Sequence, residues 1–259
     1  MGIVNVTPDS FYPASRTAAT NEAIARGREY FAEGVDVVDV GGESTRPGAQ
    51  LVSAGEESAR VLGVVSALSA LGVVSIDTQK ESVARDAVRH GASIINDVSA
   101  TLVELAGELD VGYVAMHRQG DSATMQDNPH YDDVVSEVES FLDDVALRAR
   151  HAGVRELWLD PGIGFGKSVE HNLALLAHVD RFVSLAERHG ARVLIGTSRK
   201  RFLGTLARSP LEVQDRLEGS IATEAWALLY GASMVRVHDA KAAVQLRELI
   251  ARPVEEVTA

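Results

Sequence analysis

The chain has 259 residues, enough for one large domain, and its 46% apolar and 24% charged residues are ordinary values for a globular protein. A formal net charge of −12 argues against non-specific nucleic-acid binding, because phosphate backbones select basic surfaces. The absence of cysteine excludes disulfides, thiolate zinc sites and a cysteine nucleophile. No apolar run approaches the roughly 20 residues of a membrane span, and no signal peptide is recognisable at the N-terminus. The composition is compatible with a cytoplasmic enzyme that acts on a small molecule and not on a membrane.

Short runs rich in β-branched residues alternate with longer segments of helical spacing, starting with Ala18–Glu33 and Ala54–Leu71 and continuing with Lys80–Gly91 and Tyr131–Ala152. The predicted strands are Gly2–Val6, Val35–Val40, Val73–Ile76, Ser93–Asn96, Gly112–Met116, Glu156–Leu159, Arg192–Gly196 and Met234–Val237. Glycines stand where helices should end, as a left-handed residue after a helix requires: Gly34, Gly91, Gly153, Gly190 and Gly231. This α/β pattern predicts a single (β/α)8 barrel, with a doubly wound open sheet as the alternative.

Unusual polar residues concentrate at the C-terminal ends of the predicted strands. They are Asn5, Asp39, Asp77, Asn96, His117, Asp160, Ser198–Lys200 and Arg236–Asp239. In a (β/α)8 barrel these ends converge on one mouth, where active sites are built. Residues from the whole chain are therefore expected to meet in one pocket.

The acids at the strand ends have two interpretations. They could bind a metal, act as bases or accept hydrogen bonds from a ligand, or they could simply cap the following helix. Capping is a serious alternative for Asp77, a weaker one for Asp160, and does not fit Asp39, which is followed by Val-Gly-Gly.

Cationic residues follow the seventh strand, in Ser198-Arg-Lys-Arg201, and the eighth, in Arg236-Val-His238. Loops at these positions often bind phosphate in barrels, and strand alternation places Arg236 and His238 on one side. A solvated charge run is the alternative. Of the four lysines in this arginine-rich chain, Lys200 lies in this cluster. The presence of the other three, Lys80, Lys167 and Lys241, is explained about equally well by function and by a codon bias toward arginine that leaves a few lysines by chance.

Two loops with glycine or proline follow the first two strands, and each is a candidate lid or a plain surface turn. The first is Asn5-Val-Thr-Pro-Asp-Ser-Phe-Tyr-Pro13 and the second is Gly41-Gly-Glu-Ser-Thr-Arg-Pro-Gly48. A third segment, Asp160-Pro-Gly-Ile-Gly-Phe-Gly-Lys167, has a superficial likeness to a phosphate loop. It lacks the Walker spacing, which argues against an NTPase.

Taken together and in order, these motifs resemble those of the dihydropteroate synthase family over nearly the whole chain. The matching segments are Met1–Phe11, Asp39–Ala49, Ser75–Thr78, Ile95–Ser99, Met116-His117, Asp160–Lys167, Gly196–Lys200 and Arg236–Asp239. The resemblance implies one pterin-binding (β/α)8 domain over residues 1–259. It also implies condensation of 6-hydroxymethyl-7,8-dihydropterin diphosphate with 4-aminobenzoate, giving 7,8-dihydropteroate and pyrophosphate.

By this resemblance, the residues with catalytic roles are Asp77, Asp160 and Lys200. Asp160 would accept hydrogen bonds from the amino edge of the pterin, with Asp77 and Asn96 at the rest of its polar rim. Lys200 would contact the ring carbonyl and N5, and Met116 and Arg236 would pack near the ring faces. Arg236 and His238 would complete a pyrophosphate site.

The resemblance also implies a magnesium ion, with Asn5 as its protein ligand and diphosphate oxygens as further ligands. The walls for the aryl amine would be Phe11, Thr45, Arg46, Pro47 and Phe165, and an Asp9–Arg46 pair would lock the closed lid. A homodimer formed through late helices such as Leu217–Leu229 is also expected.

The chain departs from the family pattern at Tyr12-Pro-Ala-Ser-Arg16, where a small, acidic stretch is usual. It also has Arg201 where many members carry serine, although arginine occurs there too. The connector after Ser99 is shorter than usual, and the given sequence starts directly at the first strand, so the hairpin that usually precedes it is either absent or clipped. A non-catalytic pterin-binding paralogue and a pterin-dependent methyltransferase are the alternative functions.

Overall fold

The computed structural model describes residues 1–6, 13–43, 51–120, 124–206 and 209–251, with the backbone alone for residues 13–18. Within these residues, eight parallel strands form one sheet in sequence order from β1 to β8. The strands are β1 (Gly2–Asn5), β2 (Val37–Gly41), β3 (Val73–Asp77), β4 (Ile94–Asp97), β5 (Gly112–Met116), β6 (Leu157–Asp160), β7 (Arg192–Ile195) and β8 (Met234–Val235). All eight predicted strands are confirmed, with bounds that differ by no more than two residues.

Helices connect successive strands in the described parts of the chain. They are α1 (Pro13–Glu33), α2 (Ala54–Ser69), α3 (Glu81–Arg89), α4 (Val103–Glu108), α5 (Val134–Ala152), α6 (Val169–Ala177), α7 (Val179–Arg188), α8 (Arg201–Leu206), α9 (Leu217–Leu229) and α10 (Ala240–Ile250). Two helices lie between β6 and β7, and α8, a 3-10 turn and α9 lie between β7 and β8, so the expected one-to-one alternation is wrong there. α1 begins five residues before the predicted Ala18, at Pro13, whose fixed φ suits the first position of a helix.

The glycines predicted to end helices are confirmed. Their φ angles are positive: 93° at Gly34, 106° at Gly91, 74° at Gly153, 66° at Gly190 and 94° at Gly231. Gly153 illustrates the reason, because its left-handed backbone lets its N–H donate to the carbonyls of Ala149 and Arg150 at the end of α5.

The two faces of the sheet carry different residues. Side chains alternate along a strand, so Val38 and Val40 pack with the helices in the main core, while Val37 and Asp39 point to the other face. At the N-terminal ends of the strands, this other face is a separate apolar cluster of Met1, Val37, Ile94, Val114, Trp158 and Leu194. Two residues further along the strands, the same face becomes polar, with Asp39 after Val37, Asn96 after Ile94 and Asp160 after Trp158. The alternation therefore delivers the polar residues to one end of one face.

The first and last parts of the chain are neighbours in the sheet. A parallel bridge joins Gly2 to Val237, the Ile3 N–H donates to the Val237 carbonyl (2.9 Å), and the Val237 N–H donates to the Met1 carbonyl (2.9 Å). Asn5 and Arg236 are brought to the same end of the fold by this pairing. Among the described residues, no helix is long and apolar enough to cross a membrane.

A buried acid on α9 predicts a pH-dependent loss of stability. Glu224 is 1% exposed, and its Oε2 has no hydrogen-bond partner within the described residues. Burial, reinforced by the negative charge of Asp239, raises the pKa of Glu224 from 4.5 to about 8. The unfolded chain loses this proton above its lower pKa while the folded chain retains it, so stability falls as pH rises from about 4.5 to about 8.

We therefore expect Glu224→Gln to raise the free energy of unfolding by roughly 2–4 kcal/mol at pH 9 and to change it little at pH 4.5. Denaturant unfolding at both pH values measures the difference. Glu218→Gln, an exposed change on the same helix, is the control and should show no such pH dependence. An equal effect of Glu224→Gln at both pH values would contradict the explanation.

Candidate active site

The C-terminal ends of the strands bring the predicted polar residues together. In the register of the sheet, Asn5 on β1 pairs with Gly41, which pairs with Asp77, which in turn pairs with Asn96. Met116 on β5 pairs with Asp160 on β6. The row of strand ends is thus contiguous, as expected from the sequence.

An ionic network forms the floor of this site. Arg236 donates from Nε to Asp39 Oδ2 (2.7 Å) and from Nη2 to Asp77 Oδ2 (2.6 Å). The Asn96 amide donates to the same oxygen of Asp39 (3.0 Å). Asp39, Asp77 and Asn96 are 0%, 8% and 5% exposed, so the network is almost dry. The Asn96 amide is thereby oriented, which leaves its carbonyl oxygen as an acceptor.

Asp77 does not cap a helix, so that alternative is wrong. The residue before α3 is Lys80, which makes no side-chain cap hydrogen bond, while Asp77 pairs with Arg236. Burial raises the pKa of Asp77 to about 7, although the Arg236 charge opposes the rise. Near neutral pH this carboxyl group can therefore exist with or without its proton.

Asp160 also does not cap a helix, since α6 is capped by Ser168. It is 5% exposed, and burial raises its pKa while the Lys200 charge opposes the rise. Within the described residues, its side chain accepts one hydrogen bond, from the Gly162 N–H to Oδ1 (2.7 Å). The second carboxylate oxygen remains available to a ligand.

The segment after β6 is held by three glycines with positive φ, Gly162 (69°), Gly164 (83°) and Gly166 (63°). A Cβ atom would lie 1.8 Å from the His117 carbonyl oxygen at Gly162, 2.9 Å from Lys200 Cδ at Gly164 and 2.4 Å from the Gln119 carbonyl oxygen at Gly166. The alternating glycines therefore serve close packing against the chain after β5 and against Lys200. They give no support to a phosphate loop.

Lys200 crosses this segment. Its ammonium group donates to the Ile163 carbonyl and lies 4.5 Å from the centre of the Phe165 ring. Burial lowers the pKa of Lys200 to about 8, while Asp160 acts to raise it and Arg236 to lower it. The backbone just before it is strained, because Arg199 has a φ of 55°.

One member of the cationic run, Arg199, is paired within the protein. Arg199 makes a two-pronged ion pair with Asp239 (2.7 and 2.6 Å) and donates to the carbonyls of Val213 and Gln214. Its charge is therefore balanced within the protein. His238 lies beside Ser198, whose hydroxyl oxygen accepts from the His238 backbone N–H (3.1 Å).

Two further lysines are placed in ways that the sequence did not predict. Lys167 is 3% exposed and donates to His117 Nδ1 (2.9 Å) and to the Phe165 carbonyl (3.0 Å), linking the chain after β5 to the glycine segment. Lys80 contacts the carboxylates of both Glu43 and the fully buried Glu57. Sequence separations of tens of residues hide both clusters from pattern analysis.

Asp97, beside Asn96, was also missed. Its carboxylate accepts from the backbone N–H groups of Ser99 (2.7 Å), Thr101 (2.8 Å) and Leu102 (2.9 Å) and from the Tyr113 hydroxyl (2.8 Å). This residue shapes the loop after β4. The sequence signal was present, because a polar residue at the end of a strand often caps the loop that follows.

A cavity of about 710 Å³ opens above the network. The predicted site residues that line it are Asn5, Asp77, Phe165, Lys200, Arg236 and His238. Asn96, Met116 and Asp160 are buried at the strand ends. The predicted positions Phe11, Thr45, Arg46 and Pro47, and Asp9, lie outside the described residues.

A cavity lined by convergent polar groups with shifted pKa values, at the strand ends of a parallel α/β fold, is typical of an enzyme active site. The chain matches the family described as pterin binding enzyme over residues 1–238. It is 39% identical to the dihydropteroate synthase of Escherichia coli (strain K12) over 258 residues, 96% of this chain and 89% of that protein. The mitochondrial folate synthesis bifunctional protein of Pisum sativum is 42% identical over 93% of this chain, which spans half of that longer relative.

Solved structures of dihydropteroate synthases are also similar to this chain. The dihydropteroate synthase of Xanthomonas albilineans with 4-aminobenzoic acid has a TM-score of 0.86 and 43% identity, covering 98% of this chain and 93% of that one. The same enzyme in complex with 7,8-dihydropteroate has a TM-score of 0.82 and 40% identity, covering 98% and 94%. The chain belongs to the pterin-binding enzyme family. Its predicted resemblance to the dihydropteroate synthases is confirmed.

The surroundings of three lysines shift their pKa values in opposite directions. Burial lowers the pKa of Lys167 to about 7 and that of Lys200 to about 8. Partial burial also acts to lower the pKa of Lys80, but the hydrogen bonds that its ammonium group donates to Glu43 and Glu57 outweigh it and raise that pKa. With four lysines in the chain, NMR of lysine side chains labelled with ¹³C and ¹⁵N resolves each of them.

We expect Lys167 and Lys200 to lose a proton well below the ordinary pKa of 10.5, and Lys80 above it. Asp160→Asn should lower the pKa values of Lys167 and Lys200 further, because the carboxylate favours their charged forms. Lys80 in the same variant is the internal control. Titration of all three lysines at the ordinary value would refute the described geometry.

Proposed function

We propose that this chain is a dihydropteroate synthase, a transferase that moves a pterinylmethyl group from 6-hydroxymethyl-7,8-dihydropterin diphosphate to the amine of 4-aminobenzoate. The C–O bond to the diphosphate breaks with its electron pair leaving on pyrophosphate. The amine lone pair forms the new C–N bond, and the nitrogen releases a proton. The observation that carries the proposal is Asp160, a buried carboxylate at the end of β6 with one oxygen uncommitted within the described residues.

The hydrogen-bonding groups of a dihydropterin ring are complementary to the polar side chains at the strand ends. Its 2-amino group and the adjacent ring N–H form a donor pair that a carboxylate such as Asp160 accepts through two hydrogen bonds. Asn96 offers a carbonyl oxygen to the ring, and Asp77 can accept or donate because its pKa of about 7 lies near neutrality. Lys200 contacts the ring carbonyl and N5, and Met116 and Arg236 pack near its faces.

Bond cleavage comes first in this proposal and leaves a cationic pterin methylene. No protein nucleophile is needed, in agreement with a site of acids, amides and cations. Closure around the methylene excludes water, which would otherwise trap the cation. Phe165, with Phe11, Thr45, Arg46 and Pro47 from the two N-terminal loops, forms the walls for the aryl amine.

Stabilising the negative charge of the leaving pyrophosphate requires more uncompensated positive charge than the described residues provide. Arg236 is balanced by Asp39 and Asp77, and Arg199 by Asp239, so neither contributes a full net charge. Among the described residues, no group of three His, Cys, Asp or Glu could hold a metal ion. A magnesium ion held mostly by diphosphate oxygens and water does not need such a group.

The residues present fit a magnesium ion of this kind. Asn5 offers a hard carboxamide oxygen at the end of β1, its side chain is exposed, and it has no hydrogen-bond partner among the described residues. When bound, the ion would neutralise charge that develops on the departing pyrophosphate. His238 and Arg236 complete the anion site.

The proposal includes a closed (β/α)8 barrel formed as one domain by residues 1–259. The Gly2–Val237 bridge and the hydrogen bond from the Met1 amino group to the Val235 carbonyl (2.9 Å) support closure, because they join the two outermost strands. The cysteine-free composition is compatible with the expected cytoplasmic location.

The synthase function has two competitors, a pterin-binding paralogue without activity and a pterin-dependent methyltransferase. The Lys200, Arg236 and His238 side chains around one cavity favour the synthase, since a methyltransferase has no pyrophosphate to hold. Incubation with both substrates and Mg²⁺ tests the choice. Formation of dihydropteroate with stoichiometric pyrophosphate supports the synthase, whereas pterin diphosphate binding without pyrophosphate release favours the paralogue.

Asp160→Asn should weaken pterin diphosphate binding by tenfold or more, because the amide has one acceptor oxygen and turns donors toward the donors of the pterin. Calorimetry measures the affinity, and circular dichroism checks the fold. Asp110→Asn, an exposed change just before β5 at the opposite end of the strands, should leave affinity unchanged. Unchanged affinity in Asp160→Asn would remove this residue from the pterin site.

A homodimer through α9 is also part of the proposal. α9 exposes Trp226 (45%) and Leu229 (70%), and the adjacent Tyr230 (41%) stacks on Trp226 at 4.6 Å. Such a group of exposed apolar side chains is typical of an interface.

We expect Leu229→Glu to shift a dimer toward monomer in light scattering after size exclusion. A matched change at an exposed leucine on another helix, Leu147→Glu on α5, should have no such effect. A wild-type chain that is monomeric at all concentrations would contradict the dimer.

A further inference from the structure

His117 and Lys167 are buried beside the cavity and have no part in the proposed reaction. Lys167 is 3% exposed, and three acceptors lie within hydrogen-bond distance of its Nζ: His117 Nδ1 (2.9 Å), the Phe165 carbonyl (3.0 Å) and the His117 carbonyl (3.4 Å). A lysine has three N–H donors when charged and two when neutral, so these acceptors occupy all of them in either state. Lys167 therefore acts on the protein around it and has no donor left for a substrate.

The glycine segment after β6 (residues 162–166) lies outside the strands and helices, and side chains supply many of its hydrogen bonds. Four consecutive backbone carbonyls each accept a hydrogen bond from a side chain. The pairs are Ile163 with Lys200, Gly164 with Gln126, Phe165 with Lys167, and Gly166 with Tyr131. Buried backbone groups need such partners, so these four donors determine the path of the segment.

Phe165 needs a tether because of its two neighbours. It lies between Gly164 (φ 83°) and Gly166 (φ 63°), and glycine has more backbone freedom than any other residue. The Phe165 ring lines the cavity with its centre 4.5 Å from the Lys200 ammonium group, and the proposed function uses it as a wall for the aryl amine. The hydrogen bond from Lys167 to the Phe165 carbonyl therefore determines where this wall stands.

His117 anchors Lys167 to the pterin side of the site. The His117 backbone N–H donates to the Asp160 carbonyl at the end of β6 (2.9 Å), and the His117 ring packs edge-on against Phe141 with centres 5.0 Å apart. Burial and the Lys167 charge lower the pKa of His117 to about 3, so the ring stays neutral and its Nδ1 is an acceptor for the ammonium group. A continuous chain of contacts thus links Asp160 to Phe165.

We infer that Lys167 is a positioning residue, held by His117, that fixes the backbone of Phe165 and thereby the wall of the site for the aryl amine. This inference rests on the proposed synthase function. Its consequence is selective. Binding of 4-aminobenzoate depends on the contact between Lys167 and His117, whereas the pterin ring is bound by other side chains at the strand ends.

Lys167→Met tests the inference, because it removes the donors and keeps an unbranched side chain of similar length. We expect it to raise the KM for 4-aminobenzoate by about tenfold, since a hydrogen bond that holds the wall is lost. The affinity for pterin diphosphate, measured by calorimetry, should stay close to the wild-type value. Lys241→Met, an exposed change on α10, is the matched control and should alter neither quantity.

Two changes at His117 separate positioning from packing. His117→Asn keeps a side-chain acceptor close to the place of Nδ1 and should keep the KM for 4-aminobenzoate near the wild-type value, whereas His117→Leu removes the acceptor and should raise it. Because both residues act through one contact, Lys167→Met combined with His117→Leu should raise this KM no more than Lys167→Met alone. A merely structural role gives no rescue by asparagine and gives additive losses, and this result would overturn the inference.

Nitrogen-15 NMR of the His117 ring tests the contact in the wild type. Burial lowers the pKa of Lys167 to about 7, so at about pH 6 the ammonium group donates and the proton of the His117 ring must be on Nε2. The same tautomer should persist when pterin diphosphate binds. A proton on Nδ1 overturns the inference even where the variants do not fold.

The remaining outcomes also decide between the roles of Lys167. An unchanged KM for 4-aminobenzoate in Lys167→Met overturns the inference. A weaker affinity for pterin diphosphate assigns Lys167 to the pterin site and overturns it too, as does an equal loss for both substrates. Absence of dihydropteroate formation by the wild type contradicts the proposed function instead, and the tautomer of His117 still determines whether the contact exists.

Discussion

The buried contact of Arg236 with Asp39 and Asp77 is the interaction on which the rest of the site depends. It joins the chain after β8 to β2 and β3, and the Asn96 amide extends it to β4. Charges of this kind are costly to bury and are tolerated because each has an opposite charge and hydrogen bonds. Loss of one partner would leave a buried charge uncompensated, at a cost of about 3–5 kcal/mol.

This network also explains the electrostatic character of the cavity. Two aspartates around one arginine leave no surplus of positive charge at the floor, and the remaining cations are largely committed to protein acceptors. The floor is thus suited to a neutral ring with hydrogen-bond donors. Anionic groups must be bound higher in the cavity or with the help of a metal ion, and this separation of tasks follows from charge balance.

A second constraint, close packing of the backbone, determines the position of Lys200 at one wall of the site. The glycine segment after β6 approaches the His117 and Gln119 backbones so closely that no side chain fits at Gly162 or Gly166. At Gly164 the missing side chain makes room for Lys200, whose ammonium group then reaches the Ile163 carbonyl and the Phe165 ring. Backbone conformation, more than side-chain packing, therefore determines where this lysine points.

The sequence by itself determined the eight strands, the ends of the helices at glycines and the concentration of polar residues at the strand ends. These features are local, because a period of two, a left-handed glycine or a helix cap is complete within a few residues. The motif order also identified the family. Only the tertiary structure decided which charges are paired. Asp77 appeared able to cap a helix, yet it binds Arg236, and Arg199 appeared free to bind an anion, yet it binds Asp239. The partners of Arg236 lie 197 and 159 residues away along the chain, and at such separations only the folded arrangement of strands brings the two charges into contact.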